Sequence, residues 1–189
     1  AQDKPFGVVL IYSGTEVGVS AIPHPIGTVA QIANWEWLPD GRMNILTVGE
    51  RRFRIVEYAD EELPYLVGSI EYWDDQPVDY PDQPGLIDDV SHSFIDYLTL
   101  IMTLADQPLP VSQLQLPADP ATLSNHVASN LQIDMNEKQE LLEEPSAIAR
   151  LQRELTLLRR EGSFLQRLVS LQGSVNDEDL PWSGLIYAN

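Results

Sequence analysis

The chain of 189 residues has no cysteine and only two lysines, Lys4 and Lys138. The first absence removes a disulfide scaffold, a thiol nucleophile and a thiolate-ligated zinc, and it suits a reducing compartment. The second removes most ways of gripping phosphate. A phosphate-cradling loop needs spaced glycines followed by Lys and Ser or Thr, and no stretch has that pattern. A serine–lysine dyad needs a lysine tuned by burial. Lys4 stands near the start of the chain and Lys138 follows Glu137 in an acidic helical stretch, so neither fits.

Positive charge is scarce altogether: 11 Lys and Arg oppose 29 Asp and Glu, a formal net charge of −18. Such a chain repels nucleic-acid phosphates and anionic membranes, and neither is expected as a partner. Long apolar runs are missing too. "FGVVLIY" (6–12) is far below the ~18 residues of a membrane span. It also lacks the basic flank and cleavage pattern of a signal peptide. The expectation is a soluble, cytoplasmic protein that holds no cofactor.

What remains is ordinary globular material, 43% hydrophobic and 21% charged. The chain is long enough to bury roughly 70% of its unfolded surface. Residues 1–75 read as β. "FGVVLIYS" is a short buried-strand run, and "IGTVAQIANWEWL" (26–38) is rich in β-branched and aromatic residues. "PDG" (39–41) makes a turn, with proline presetting φ and glycine taking the positive value. "RMNILTV", "RRFRIVEY" and "YLVGSIEYW" (65–73) complete the strand candidates. Close spacing of short strands predicts a small antiparallel sheet or barrel.

Residues 76–84 read as a linker, since "DDQPVDYPDQP" (74–84) holds three prolines and four aspartates. Residues 85–172 read as helical. Ile87, Val90, Phe94, Leu98 and Ile101 recur at steps of three and four. Asp119 and Pro120 mark an N-cap and first helical position, followed by the stripe Leu123, Val127 and Leu131. "NEKQELLEE" (136–144) is a short helix stopped by Pro145. A last helix carries the seam Ile148, Leu151, Leu155, Leu158, Leu165 and Val169, interrupted at Gly162. Phe164, Leu168 and Leu171 widen that stripe, which favours packing on its own domain over a free coiled coil. Gly173 is expected to end it, leaving 173–189 as an acidic, loose tail.

Few residues carry chemistry. His24, His92 and His126 sit in polar or proline-flanked settings, and no serine lies in a Gly-x-Ser-x-Gly elbow. Carboxylate runs such as Asp60-Glu61-Glu62 and Asp88-Asp89 lack calcium-loop spacing and read as solvated faces. No metal site or catalytic residue is expected. Trp35 and Trp37 share a strand face and, with Tyr65, Tyr72 and Trp73, are candidates to line an apolar groove for peptide capture. The favoured competing reading is that they fill the barrel or the junction between modules. Arg42, Arg51, Arg52 and Arg54 look like a basic reading head. Arg52 and Arg54 share one face with Phe53 and Ile55 opposite. In so acidic a chain, pairing with neighbours such as Glu50 and Glu57 is the better reading.

The order of these features resembles a known family. Gly27, Thr28 and Val29 come first, then Leu38, Pro39, Asp40 and Gly41, then Gly49, Arg52, Phe53 and Ile55. Pro64, Tyr65 and Leu66 follow, and Lys138, Gln139, Leu141, Leu142 and Glu143 close the series. Together they resemble the N-terminal substrate-recognition domain of Lon proteases, most of all stand-alone bacterial members without the ATPase and peptidase. The resemblance covers residues 5–172. It implies an α+β fold: a PUA-like antiparallel β-barrel or sheet, then a helical bundle ending in a long helix. It also implies a non-catalytic module that binds an unfolded polypeptide or protein partner. The alternative is a structural adaptor that self-associates or docks through the last helix, by Leu151, Leu155, Leu158 and Leu165. The family's usual opening strand and helix have no counterpart before Ala1, and their absence is expected to leave an unpaired sheet edge.

Overall fold

The computed structural model describes residues 5–15, 21–59, 65–77, 85–107 and 114–177. The chain divides into two compact units. One is Ala1–Pro77 with Ile133–Ser146, and the other is Val78–Gln132 with Ala147–Asn189.

The first unit is built on one long hairpin, β4 (Ile26–Trp37) and β5 (Met43–Tyr58). Its turn follows from three residues. Gly41 takes φ 85°, its N–H donates to Leu38 O at 3.1 Å, and the Arg42 N–H donates to Asp40 Oδ1 at 3.1 Å. Gly49-Glu50 does not break the strand. The register passes from Val29↔Arg51 to Ala30↔Gly49, so Glu50 is the extra residue of a bulge. Beside the hairpin lie β1 (Phe6–Val8) on β4 and β6 (Gly68–Tyr72) on β5, all antiparallel. The strands β2 (Ile11–Ser13) and β3 (Ile22–Pro23) form a separate two-stranded sheet.

The expected PUA-like barrel is therefore corrected to open antiparallel sheets. The four-stranded sheet has the order β1-β4-β5-β6, and among the described residues nothing joins its outer strands. The reason is length and pairing. β1 reaches only Thr28 to Ala30 of β4, and β6 covers only Phe53 to Tyr58 of β5. Closure requires edge strands able to ladder with one another. Here "FGVVLIYS" is shared between two sheets, since it splits into β1 and β2.

Register assigns the sheet's two sides. Ile26 pairs with Arg54 and Thr28 with Arg52 on one side; Gly27 pairs with Phe53 and Val29 with Arg51 on the other. Phe53 is buried there, and Gly27 is what lets it lie flat. A Cβ at Gly27 would stand 2.4 Å from Val9 Cγ1, 2.5 Å from Val8 O and 2.9 Å from Phe53 Cζ. The short helix α3 joins this unit although sequence pattern groups it with the later helices. In full, the helices are α1 (Leu86–Leu104), α2 (Pro120–Asn130), α3 (Met135–Glu143) and α4 (Ala147–Asp177). Asp134 caps α3 by accepting the Asn136 N–H at 2.8 Å.

The second unit packs α1 and α2 on α4. Asp119 caps α2, accepting from Thr122 N at 2.8 Å, and the Thr122 hydroxyl, together with that backbone bond, holds its carboxyl below the usual value. The core joins Val90, Phe94 and Tyr97 of α1 to Leu123 and Val127 of α2, Leu131 just after it, and Leu151 and Leu158 of α4. The Tyr97 hydroxyl accepts the Gln132 N–H at 2.8 Å, while burial pushes its pKa up. One polar cluster is enclosed in this core: Ser124, Arg150 and Glu154 are all buried. The backbone of α4 continues helical through Gly173 to Asp177. Most of the acidic tail, 178–189, and most of the linker, 78–84, lie outside the described residues.

Candidate functional site

The arginine stretch resolves first. Arg42 Nε donates to Asp40 Oδ2 at 2.7 Å, Arg51 Nε to Asp74 Oδ1 at 2.8 Å and Arg54 Nη2 to Glu71 Oε2 at 2.9 Å; Arg52 pairs with Asp75. Each finds an acid, though not Glu50 or Glu57. These contacts hold Asp40 below its ordinary pKa through the Arg42 backbone and side chain, and Asp74 through the Arg51 guanidinium.

Arg52 does more than pair. Its Nη1 donates to Leu142 O at 2.7 Å and Glu144 O at 2.9 Å, the last carbonyls of α3. Helix C-termini leave such carbonyls unsatisfied, and a cation there also suits the helix dipole. Trp73 Nε1 donates to Glu143 O at 3.1 Å, and Gln76 N to Pro145 O at 2.9 Å. Gln139 Nε2 reaches across to Ile26 O at 3.0 Å. These hydrogen bonds fasten α3 and the residues just after it to the Ile26–Arg52 side of the sheet. Trp73 is a fastening residue, half-buried at this joint.

The opposite side of the sheet is the one that carries Phe53 and Val29. It holds an apolar groove of about 470 Å³ with Phe53 and Ile55 in its lining, together with Tyr58, Tyr65, Leu66 and Tyr72. Tyr65 and Tyr72, two of the five aromatic candidates, are brought together here. Arg51 stacks 3.9 Å from the Tyr72 ring centroid and leaves the phenol at the rim.

Trp35 and Trp37 lie elsewhere, on the outer half of the hairpin. They are 54% and 62% exposed, which overturns the expectation that they fill a core. Their rings meet edge to face at 6.5 Å, and their cross-strand partners Ile45 and Met43 are exposed beside them. Aromatic pairs of this kind prefer such T-shaped geometry. Sequence reasoning missed Met43, Ile45, Tyr58 and Leu66. The signal for the first two was available: the "PDG" turn sets Trp37 against Met43, so the apolar alternation of both strands falls on one side.

On α4, Leu151 and Leu158 are buried in their own unit and Leu155 and Leu165 half-buried, so the seam is used internally. Phe164, Leu168 and Leu171 remain exposed. The histidines are locally engaged: His24 Nδ1 lies 3.1 Å from Glu143 Oε1, His92 Nδ1 lies 2.7 Å from Asp88 O, and His126 meets Phe94 edge to face. Among the described residues no group of three or more His, Asp or Glu is placed to hold a metal ion. No helix of the described residues is long and apolar enough to cross a membrane.

Comparison with known proteins places this geometry. Residues 1–160 match the family described as the ATP-dependent protease La (LON) substrate-binding domain. The chain is 31% identical over 143 residues to the Lon protease of Brevibacillus choshinensis, covering 76% of this chain and 18% of that protein. It is 28% identical over 154 residues to Lon protease of Escherichia coli (strain K12), covering 82% and 19%. The chain thus spans about a fifth of the length of these relatives. A crystal structure of a Lon N-terminal domain protein from Xanthomonas campestris has the same fold. It superposes with a TM-score of 0.53 at 23% identity, over 81% of this chain and 75% of that one. The match falls on the family's substrate-binding domain and not on its ATPase or protease domains, so these residues form a non-catalytic domain.

Proposed function

The chain belongs to the ATP-dependent protease La (LON) substrate-binding domain family, and on that premise we propose that its first unit captures unfolded polypeptide in the apolar groove. One observation carries this reading. The groove, about 470 Å³ and rimmed by Tyr58, Tyr65, Leu66 and Tyr72, lies on the side of the sheet opposite α3. Small-molecule and peptide sites share this character, a concave apolar wall with a few polar atoms at the edge. An extended chain would lay apolar side chains into it, and the Tyr65 and Tyr72 hydroxyls would meet its backbone. A cytoplasmic setting belongs to the same proposal, supported by the bacterial relatives.

The test is titration with a permanently unfolded, reduced and alkylated polypeptide. Saturable micromolar binding is expected. Leu66→Glu, which places charge on an exposed rim position, should weaken it at least tenfold without lowering stability. No saturable binding by the wild-type chain would reject the proposal.

A second reading has one observation in its favour. Phe164, Leu168 and Leu171 form an exposed apolar stripe on α4, at the spacing of a docking helix face. Self-association or adaptor docking through this stripe predicts a mass that rises with concentration. A strictly monomeric mass and no captured partner count against it.

A further inference from the structure

Resting on the reading that the first unit binds unfolded polypeptide, we propose that it selects cationic segments, whose arginine and lysine side chains settle on the Trp35–Trp37 pair. The charge of the unit supplies the first argument. Its residues include seventeen acids against six bases, a net −11 of the chain's −18. All four of its arginines are already neutralised by its own Asp40, Asp74, Asp75 and Glu71. What the unit presents beyond these pairs is overwhelmingly negative. Such a field draws in cations and repels nucleic acid, anionic lipid and a second copy of the same acidic chain.

The aromatic rings supply the second argument. Guanidinium groups favour aromatic faces. The unit makes this contact twice with its own residues: Arg51 lies over Tyr72 while bonded to Asp74, and Arg54 lies 5.0 Å from the Trp73 centroid while bonded to Glu71. Trp35 and Trp37 are exposed rings as well, and Met43 and Ile45 beside them suit the methylene stems of long cationic side chains. The hairpin therefore offers an incoming arginine or lysine both a ring and an apolar shelf, within an acidic field.

The test uses two unfolded synthetic polypeptides of matched length and apolar content, one charged by Lys and Arg, the other by Asp and Glu. Binding is followed by anisotropy of the labelled polypeptide and by tryptophan emission. At low salt the cationic polypeptide should bind at least tenfold tighter. The ratio should fall toward one in 1 M salt, where the screening length shrinks to about 3 Å. The double variant Trp35→Ala, Trp37→Ala, altered only at exposed positions, should lose most of the preference. Equal or tighter binding of the anionic polypeptide overturns the selectivity while leaving polypeptide capture intact. So does a preference that the double variant leaves unchanged. Tryptophan emission that follows protein concentration and ignores the polypeptide would assign the hairpin to a second copy and overturn it too. Failure of both polypeptides to bind is a different result and rejects the underlying reading.

Discussion

Glu154→Gln should remove part of the protein's pH dependence. Glu154 is fully enclosed where α2 meets α4. Ser124 Oγ donates to its Oε1 at 2.8 Å, Arg150 Nε donates to Ser124 Oγ at 2.8 Å, and Oε2 has no hydrogen-bond partner among the described residues. Burial dominates over the Ser124 bond and the Arg150 charge, and pushes the carboxyl from 4.5 up to about 7. The folded state therefore keeps its proton to higher pH than the unfolded chain does. The stability this group contributes is complete below pH 4.5 and is lost as pH climbs through about 7. At about 1.4 kcal/mol per pH unit, that interval corresponds to about 3 kcal/mol. Glutamine does not titrate. The unfolding free energy of wild type minus that of Glu154→Gln should thus fall by about 3 kcal/mol between pH 4.5 and pH 8. Urea denaturation followed by far-UV circular dichroism measures it, and the subtraction cancels the other carboxylates. A difference that stays constant within about 0.5 kcal/mol across that range would refute the buried-carboxyl argument.

Three further outcomes are expected. Arg52→Leu removes the Asp75 partner and uncovers the Leu142 and Glu144 carbonyls, so the urea midpoint should drop by the equivalent of about 3–5 kcal/mol; an exposed contact residue would shift it by less than about 0.5 kcal/mol. Gly27→Ala drives a Cβ into Val8 O and Val9, costing about 1–3 kcal/mol and lowering Tm in a thermal scan; an unchanged Tm would reject the close approach at Phe53. Leu158→Ala, in the α4 core, should cost about 2–5 kcal/mol, whereas Leu171→Ala on the exposed stripe should stay within about 0.5 kcal/mol; similar losses at both would place Leu171 in a packed interface.

Local chemistry was readable from residues alone. "PDG" specified the β4–β5 turn, Asp119-Pro120 specified the start of α2, and the three–four spacing specified α1 and α4, because each depends on neighbours within a few positions. Non-local outcomes were not readable. Whether β1 and β6 close a barrel depends on strands some sixty residues apart, and an apolar run gives no sign that it will be divided between two sheets. Trp35 and Trp37 look like core residues by type; nothing beside them in sequence reveals that both are left exposed among the described residues. Family resemblance identified the substrate-binding domain, yet the groove residues Tyr58 and Leu66 emerge only once β5 and β6 are paired. Arg52 shows the limit most sharply: its acid pairing was foreseeable, its carbonyl partners ninety residues on were not.

That separation also sets an order of events during synthesis. At 5–20 residues per second, roughly 5–18 s pass between the emergence of Arg52 and that of Leu142. For much of that interval the ribosome is making the part of the other unit that holds α1 and α2. The Ile26–Arg52 side of the sheet must wait without the helix that covers it, with Trp73 and Gln76 still lacking their carbonyl acceptors. A nascent chain halted before residue 133 would leave the Ile26–Arg52 side of the sheet without α3. The first unit to begin thus stays unfinished until most of the chain has been made, and its solubility in the meantime rests on the same surplus of acids that sets the charge of the folded protein.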